Sequence, residues 1–144
     1  MKNLPHDRLA DLRVQPPPVA RLIGFEPVEL ASGRAVFQLE VDSARHANPM
    51  GTLHGGILCD LADAAMGYAY ASTLGDDETF TTVELKINFL RPVWRGRVYA
   101  TAKLVSGGRT IGLLECDMAD ASGKLVARAS STCMTLRGQQ AEGR

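Results

Sequence analysis

From Ile57 to Thr73 the chain is apolar at almost every position, interrupted by two aspartates, Asp60 and Asp63. That run predicts one long helix whose surface is apolar nearly all round. On either side of it the period changes to two. Pro27-Val28-Glu29-Leu30 and then Arg34 to Val41, with Ala35, Phe37, Leu39 and Val41 on one face, flank the turn Ala31-Ser32-Gly33-Arg34 and predict a hairpin. Phe80 to Leu90 sets Val83, Leu85, Ile87 and Phe89 against Thr82, Glu84, Lys86 and Asn88, the pattern of a half-buried strand with a partly polar far face. Three more strands are expected at Arg97 to Val105, Thr110 to Met118 and Lys124 to Leu136. Their connections are Ser106-Gly107-Gly108-Arg109 and Asp120-Ala121-Ser122-Gly123, where glycine is expected to supply positive φ.

The order is thus two strands, one helix, then four strands, an α+β arrangement. A helix that is apolar all round cannot be satisfied by one flat sheet under water, so an antiparallel sheet is expected to curl around it. Such a sheet leaves edge strands that pair between subunits, which predicts at least a homodimer. Three segments follow: a peripheral stretch over residues 1–18, a domain over 19–137 and a polar tail over 138–144 that frays. Within the first, Met1 to Gln15 is expected to form a short surface helix that Pro16-Pro17-Pro18 ends. The following Val19 to Gly24 reads as a short helix with glycine at its end.

Composition narrows the function classes. The 144 residues fit one domain able to bury its own core. A 45% apolar and 22% charged chain of zero net charge offers no basic surface, so neither a nucleic acid nor an anionic membrane is an expected partner. Cys59, Cys116 and Cys133 are far apart and sit in apolar or alternating segments, which reads as reduced thiols and no metal site. With no continuous apolar stretch behind the N-terminal lysine, a cytoplasmic location is expected.

The candidate chemistry lies at the start of the long helix. Gly55 and Gly56 follow His54 there, at a cost of about 1 kcal/mol each relative to alanine. First-turn amides have no intrahelical partner and lie at the positive end of the helix dipole, so they suit an oxygen carrying partial negative charge. Facing an ester or thioester carbonyl, these two glycines form a candidate oxyanion hole; alternatively, they only let the incoming loop pass close to the sheet. Asp63, flanked by apolar residues, is placed either at a polar cleft or against a partner, the setting of a general base or nucleophile. Eight residues separate Gly55 from Asp63, about 12 Å of helix at 1.5 Å per residue, too far for both to touch one reacting carbon. If both act, Asp63 must come from a second subunit. His54 is a candidate general acid, substrate donor or cap for the turn, and Asn48 either fixes its own loop or holds a reacting water. No serine or cysteine occupies a nucleophile elbow, so a hydrolase triad is unsupported.

In that order, Asn48, Gly51-Thr52-Leu53-His54-Gly55-Gly56 and Leu61-Ala62-Asp63 resemble the signature of hotdog-fold acyl-CoA thioesterases of the phenylacetate-pathway (PaaI-type) group. The strand Val83 to Pro92, Gly96, Gly108-Arg109 and Gly123 to Ala127 extend the resemblance over about Leu22 to Leu136. It implies a hotdog fold, a dimer often doubled to a homotetramer, and an acyl-CoA substrate at the subunit interface, with coenzyme A as part of the substrate and no separate cofactor. It also implies Asp63 as catalytic acid, Gly55 as the carbonyl-polarising amide, and Asn48 and His54 as further members of the site. A hydroxyl that positions water matches Thr82, with Thr81 the alternative register.

Coenzyme A carries phosphates, which makes Arg91, Arg95, Arg97, Lys103, Arg109, Lys124 and Arg128 candidates to bind it. Arg109 beside Gly108 is the first choice, since a guanidinium and turn amides both suit phosphate. Met50, Met66, Tyr68, Tyr70 and Phe80 are candidates for an acyl pocket, and aryl-acetyl, benzoyl and medium-chain groups stay open. Two other functions compete: a hydratase or dehydratase of the same fold, and an acyl-CoA-binding protein without turnover. The Asp63 context and the Asn48 loop favour hydrolysis.

Overall fold

A computed structural model describes residues 15–143 of the chain. The expected helix within Met1 to Gln15 falls, up to Val14, outside the described residues. Helix α1 (Pro18–Ile23) begins with proline in its first turn and closes on Gly24. Strands β1 (Phe25–Ala31) and β2 (Arg34–Val41) form the predicted hairpin around Ser32-Gly33, with Ala31 opposite Arg34. Gly33, the second central residue of the turn, adopts φ 70°, a left-handed value that glycine takes without a Cβ penalty. A short helix α2 (Ser43–His46), capped by the Asp42 carboxylate, precedes the long α3 (Gly55–Ala71). Then come β3 (Glu78–Phe89), β4 (Gly96–Gly107), β5 (Ile111–Asp120) and β6 (Leu125–Arg137), followed by a 3₁₀ turn over Gly138–Ala141 where the sequence suggested fraying.

The six strands make one antiparallel sheet in the order β1-β2-β4-β5-β6-β3. Although β3 follows the helix directly in the chain, it pairs only with β6 and ends up on the sheet's edge. Helix α3 packs chiefly on β2 and β4. Its Leu58, Leu61, Ala62, Ala65, Met66 and Ala69 meet Phe37, Leu39, Val98, Leu114 and Met118 in a single core. By the transfer scale, each large side chain fully buried there contributes about 1.5–3 kcal/mol. Ser72 fastens the far end of the helix: its hydroxyl donates to the Ala69 carbonyl (2.6 Å) and accepts the Gly33 N–H (2.7 Å). Among the described residues no helix is long and apolar enough to cross a membrane.

The expected antiparallel sheet around one long helix is present, and α3 keeps a stripe with Asp60 and Asp63 exposed. Two other expectations are corrected. Gly107 and Gly108 do not supply positive φ; β4 runs through Gly107, and both glycines instead make room for close neighbours, Leu104 Cδ2 at 3.1 Å and the Ile111 carbonyl at 3.3 Å from a Cβ built there. Finally, the regular alternation of β3 is broken by a bulge between Thr82 and Glu84. Val83 is the extra residue and is 58% exposed. A bulge shifts the side-chain phase by one, so Thr82 shares the helix-facing side with Leu85 and Ile87 rather than the polar side with Glu84 and Lys86.

Candidate active site

The loop before α3 is held by its own chain. Asn48 Oδ1 accepts the N–H groups of Met50 (3.0 Å) and Thr52 (3.1 Å), while its Nδ2 donates to Thr52 Oγ1 (2.8 Å). The Asn48 backbone adds two more bonds, donating to the Thr52 carbonyl and accepting from Gly51. Of the two roles the sequence left open for Asn48, fixing the loop is visible in these contacts. A bridge between Ala47 and Leu53 closes the loop, and the Leu53 N–H reaches the Val93 carbonyl (2.7 Å).

His54 is the N-cap of α3: its Nδ1 accepts the Gly56 N–H at 2.9 Å. The Gly56 amide is therefore occupied, and Ile57 bonds back to the His54 carbonyl at 3.0 Å. Gly55 alone in this turn has an N–H that meets no acceptor among the described residues. The absent side chains are explained by close approach. A Cβ on Gly55 would lie 2.8 Å from Phe89 Cζ, and one on Gly56 would lie 2.9 Å from His54 Nδ1. Asn48, Thr52, Gly55, Phe89 and Arg91 line a pocket of about 400 Å³ at this helix start.

Asp63 lies two turns further along α3 and accepts a hydrogen bond from Thr82 Oγ1 at 3.0 Å. The bulge at Val83 makes this contact possible. Cys133, opposite Thr82 in the ladder, stands behind it with its sulfur 4.0 Å from Oγ1, and burial pushes its thiol pKa up. Thr81 pairs with Met134 and points to the opposite face from Thr82, and the hydrogen bond to Asp63 comes from Thr82. A second pocket, about 360 Å³ and mostly apolar, is lined by Asp63, Gly67, Tyr68, Ala71, Phe80 and Thr82. Of the proposed acyl-pocket residues, Tyr68 and Phe80 are here; Met66 and Tyr70 belong to the core, and Met50 is exposed on the loop. One turn before Asp63, Asp60 is exposed with its carboxyl pKa raised, first by partial burial and then by the Asp63 charge.

No residue lines both pockets. The chain brings Asn48, His54 and Gly55 together at one place and Asp63 with Thr82 at another. Gly108 and Arg109 line neither: the Gly108 N–H bonds the Ile111 carbonyl (2.8 Å), and the Arg109 carbonyl accepts from Arg137. Arg91, one of the basic candidates, lies instead beside Gly55. Sequence reasoning missed Phe89 as the group over Gly55 and His46 beneath the loop. For Phe89 the signal was its place at the end of a strand leading to Arg91-Pro92; a single buried histidine in a polar loop gave none.

The chain also resembles known proteins in sequence and fold. Residues 50–127 match the family described as the Thioesterase superfamily. The 1,4-dihydroxy-2-naphthoyl-CoA hydrolase of Listeria monocytogenes is 34% identical over 110 residues, spanning 76% of this chain and 89% of that protein. A thioesterase from Haemophilus influenzae superposes with a TM-score of 0.83 at 26% identity, covering 90% of each chain. The E. coli PaaI protein from the phenylacetic acid degradation operon superposes at 0.81 and 26% identity, over 91% of this chain and 93% of that one. The chain belongs to the thioesterase superfamily and is a thioesterase built on the hotdog fold.

Proposed function

We propose that the protein hydrolyses an acyl-CoA thioester at a site shared by two copies of the chain. The Gly55 N–H of one copy polarises the thioester carbonyl, and Asp63 of the other serves as base or nucleophile, with Thr82 holding Asp63 or the attacking water. The observation that carries this reading is the division of the chemistry: an open amide in one pocket and a carboxylate in another, about 12 Å apart along one helix. The exposed edge of β3, with Val83 and Phe89 over half exposed, supports pairing of two copies along that strand. Arg91 beside Gly55, rather than Arg109, is the arginine best placed for coenzyme A, and the mostly apolar pocket beside Asp63 suits the acyl group.

Mixing two inactive chains tests the shared site. Asp63→Ala and Gly55→Ala homodimers are each expected to release little thiol from acyl-CoA. Re-associated at equal ratio, they regain about a quarter of wild-type activity, because half the dimers are mixed and each has one intact site of two. Failure to regain activity at any ratio, with mixed dimers present by mass, overturns the shared site.

A further inference from the structure

We infer that His46 is a positioning residue for the Gly55 amide, acting through a chain of hydrogen bonds. It rests on the hydrolytic reading for its kinetic part alone. His46 is 3% exposed, and both ring nitrogens are committed to backbone groups. Nδ1 accepts the Asp42 N–H at 3.0 Å, and Nε2 lies 2.7 Å from the Ile23 carbonyl oxygen. A carbonyl only accepts, so Nε2 carries the proton, and a nitrogen that accepts an N–H is bare; the two partners together assign the neutral Nε2–H tautomer.

The same residue also bonds through its backbone. Its N–H donates to the Asp42 carbonyl (2.8 Å), and its carbonyl accepts the His54 N–H (2.8 Å). His54 in turn holds the Gly56 N–H on its own Nδ1 at 2.9 Å. Gly55 thus sits between two residues whose amides are fixed, and the fixing leads back through His46 to helix α1 and the end of β2. The ring ties α1 to the turn at Asp42, while the backbone carries that register across an eight-residue loop to the start of α3. A group that must sit within a fraction of an ångström of a developing oxyanion needs such support. The arrangement differs from core packing, because the ring's contacts are directional and end on a catalytic turn.

The wild-type protein gives the first test. A long-range ¹H–¹⁵N spectrum at neutral pH is expected to show His46 with Nδ1 unprotonated and Nε2–H; an Nδ1–H or doubly protonated ring overturns the assignment, whether or not any variant folds. His46→Gln then keeps an N–H donor at the position of Nε2 for the Ile23 carbonyl and leaves carbon where Nδ1 accepted from Asp42. Amide exchange at His54 and Gly56 is expected to quicken about tenfold or more while the sheet amides are unmoved. On acyl-CoA, kcat falls about tenfold with KM within twofold. Unchanged exchange at these amides, or an unchanged kcat in a variant that merely melts earlier, overturns the role. If the wild type released no thiol from any acyl-CoA, the hydrolytic reading would fail, and the tautomer and exchange results would still decide on His46.

Discussion

The first and third turns of α3 are one helix built in two ways. At the first, a loop of eight residues is cross-tied by Asn48, His54 and backbone bonds, and the Gly55 N–H that opens the helix meets no acceptor among the described residues. At the third, Asp63 is exposed and its carboxylate accepts one hydrogen bond among the described residues, from a threonine on an edge strand. Preorganised donors act because their dipoles are already oriented when charge develops, so in the proposed reaction the first turn would draw its rigidity from its own chain. A carboxylate that attacks or takes a proton needs the reacting group brought to it. Its surroundings in one chain are correspondingly open.

The sharpest way to break this comparison is Asp63→Asn. The substitution keeps size and removes the charge, and kcat for acyl-CoA hydrolysis is expected to fall about 10³-fold. Because Asp63 is exposed, the unfolding free energy should stay within about 0.5 kcal/mol of wild type. A variant that keeps substantial thiol release would remove Asp63 from the chemistry and leave the first turn as the only candidate.

The two regions should also respond differently to loss of a polar side chain. Asn48→Ala removes an acceptor for two loop amides and a donor to Thr52, so it is expected to cost about 1–3 kcal/mol of stability as well as activity. Thr82→Val removes one partly exposed hydroxyl. It should lower kcat about tenfold, the equivalent of one hydrogen bond, while leaving the melting temperature near wild type, and Thr82→Ser should recover much of the loss. Thermal unfolding and thiol release on the same preparations separate the two patterns. If Thr82→Val destabilised as much as Asn48→Ala, the third turn would be as self-supported as the first.

How far the sequence foretells this depends on whether a residue breaks a local rule. Gly55, Gly56 and Asp63 stand out because they are costly where they occur: two poor helix formers in a first turn and a carboxylate in an apolar run. The strands are readable from alternation, and β2 begins and ends where the pattern places it. The bulge at Val83 is invisible, since an added residue changes no composition and the stretch still alternates, yet it decides which face Thr82 takes. His46 is equally silent, because a ring bonded to backbone groups leaves no period to detect. Arg109 is the first choice from its neighbouring glycines, but the topology places Arg91 beside Gly55 and Arg109 in the turn between β4 and β5.

The smallest expected effect separates two carboxylates one turn apart. The Asp60 carboxylate makes no hydrogen bond among the described residues, and its pKa is raised by partial burial and then by the charge on Asp63. A raised carboxyl pKa means that the fold favours the protonated form. The cost is therefore absent below the unfolded value, near 4, sets in as the pH rises through it, and is complete above the folded value. Asp60→Asn is expected to raise the melting temperature slightly at pH 7 and not at pH 3, with kcat within about twofold of wild type. The gain should shrink when Asp63→Asn is already present, because the neighbouring charge that contributes to the shift has gone. A loss of kcat in Asp60→Asn comparable to that in Asp63→Asn would mean that the carboxylates act as a pair, and that the third turn is more organised than its single bond to Thr82 indicates.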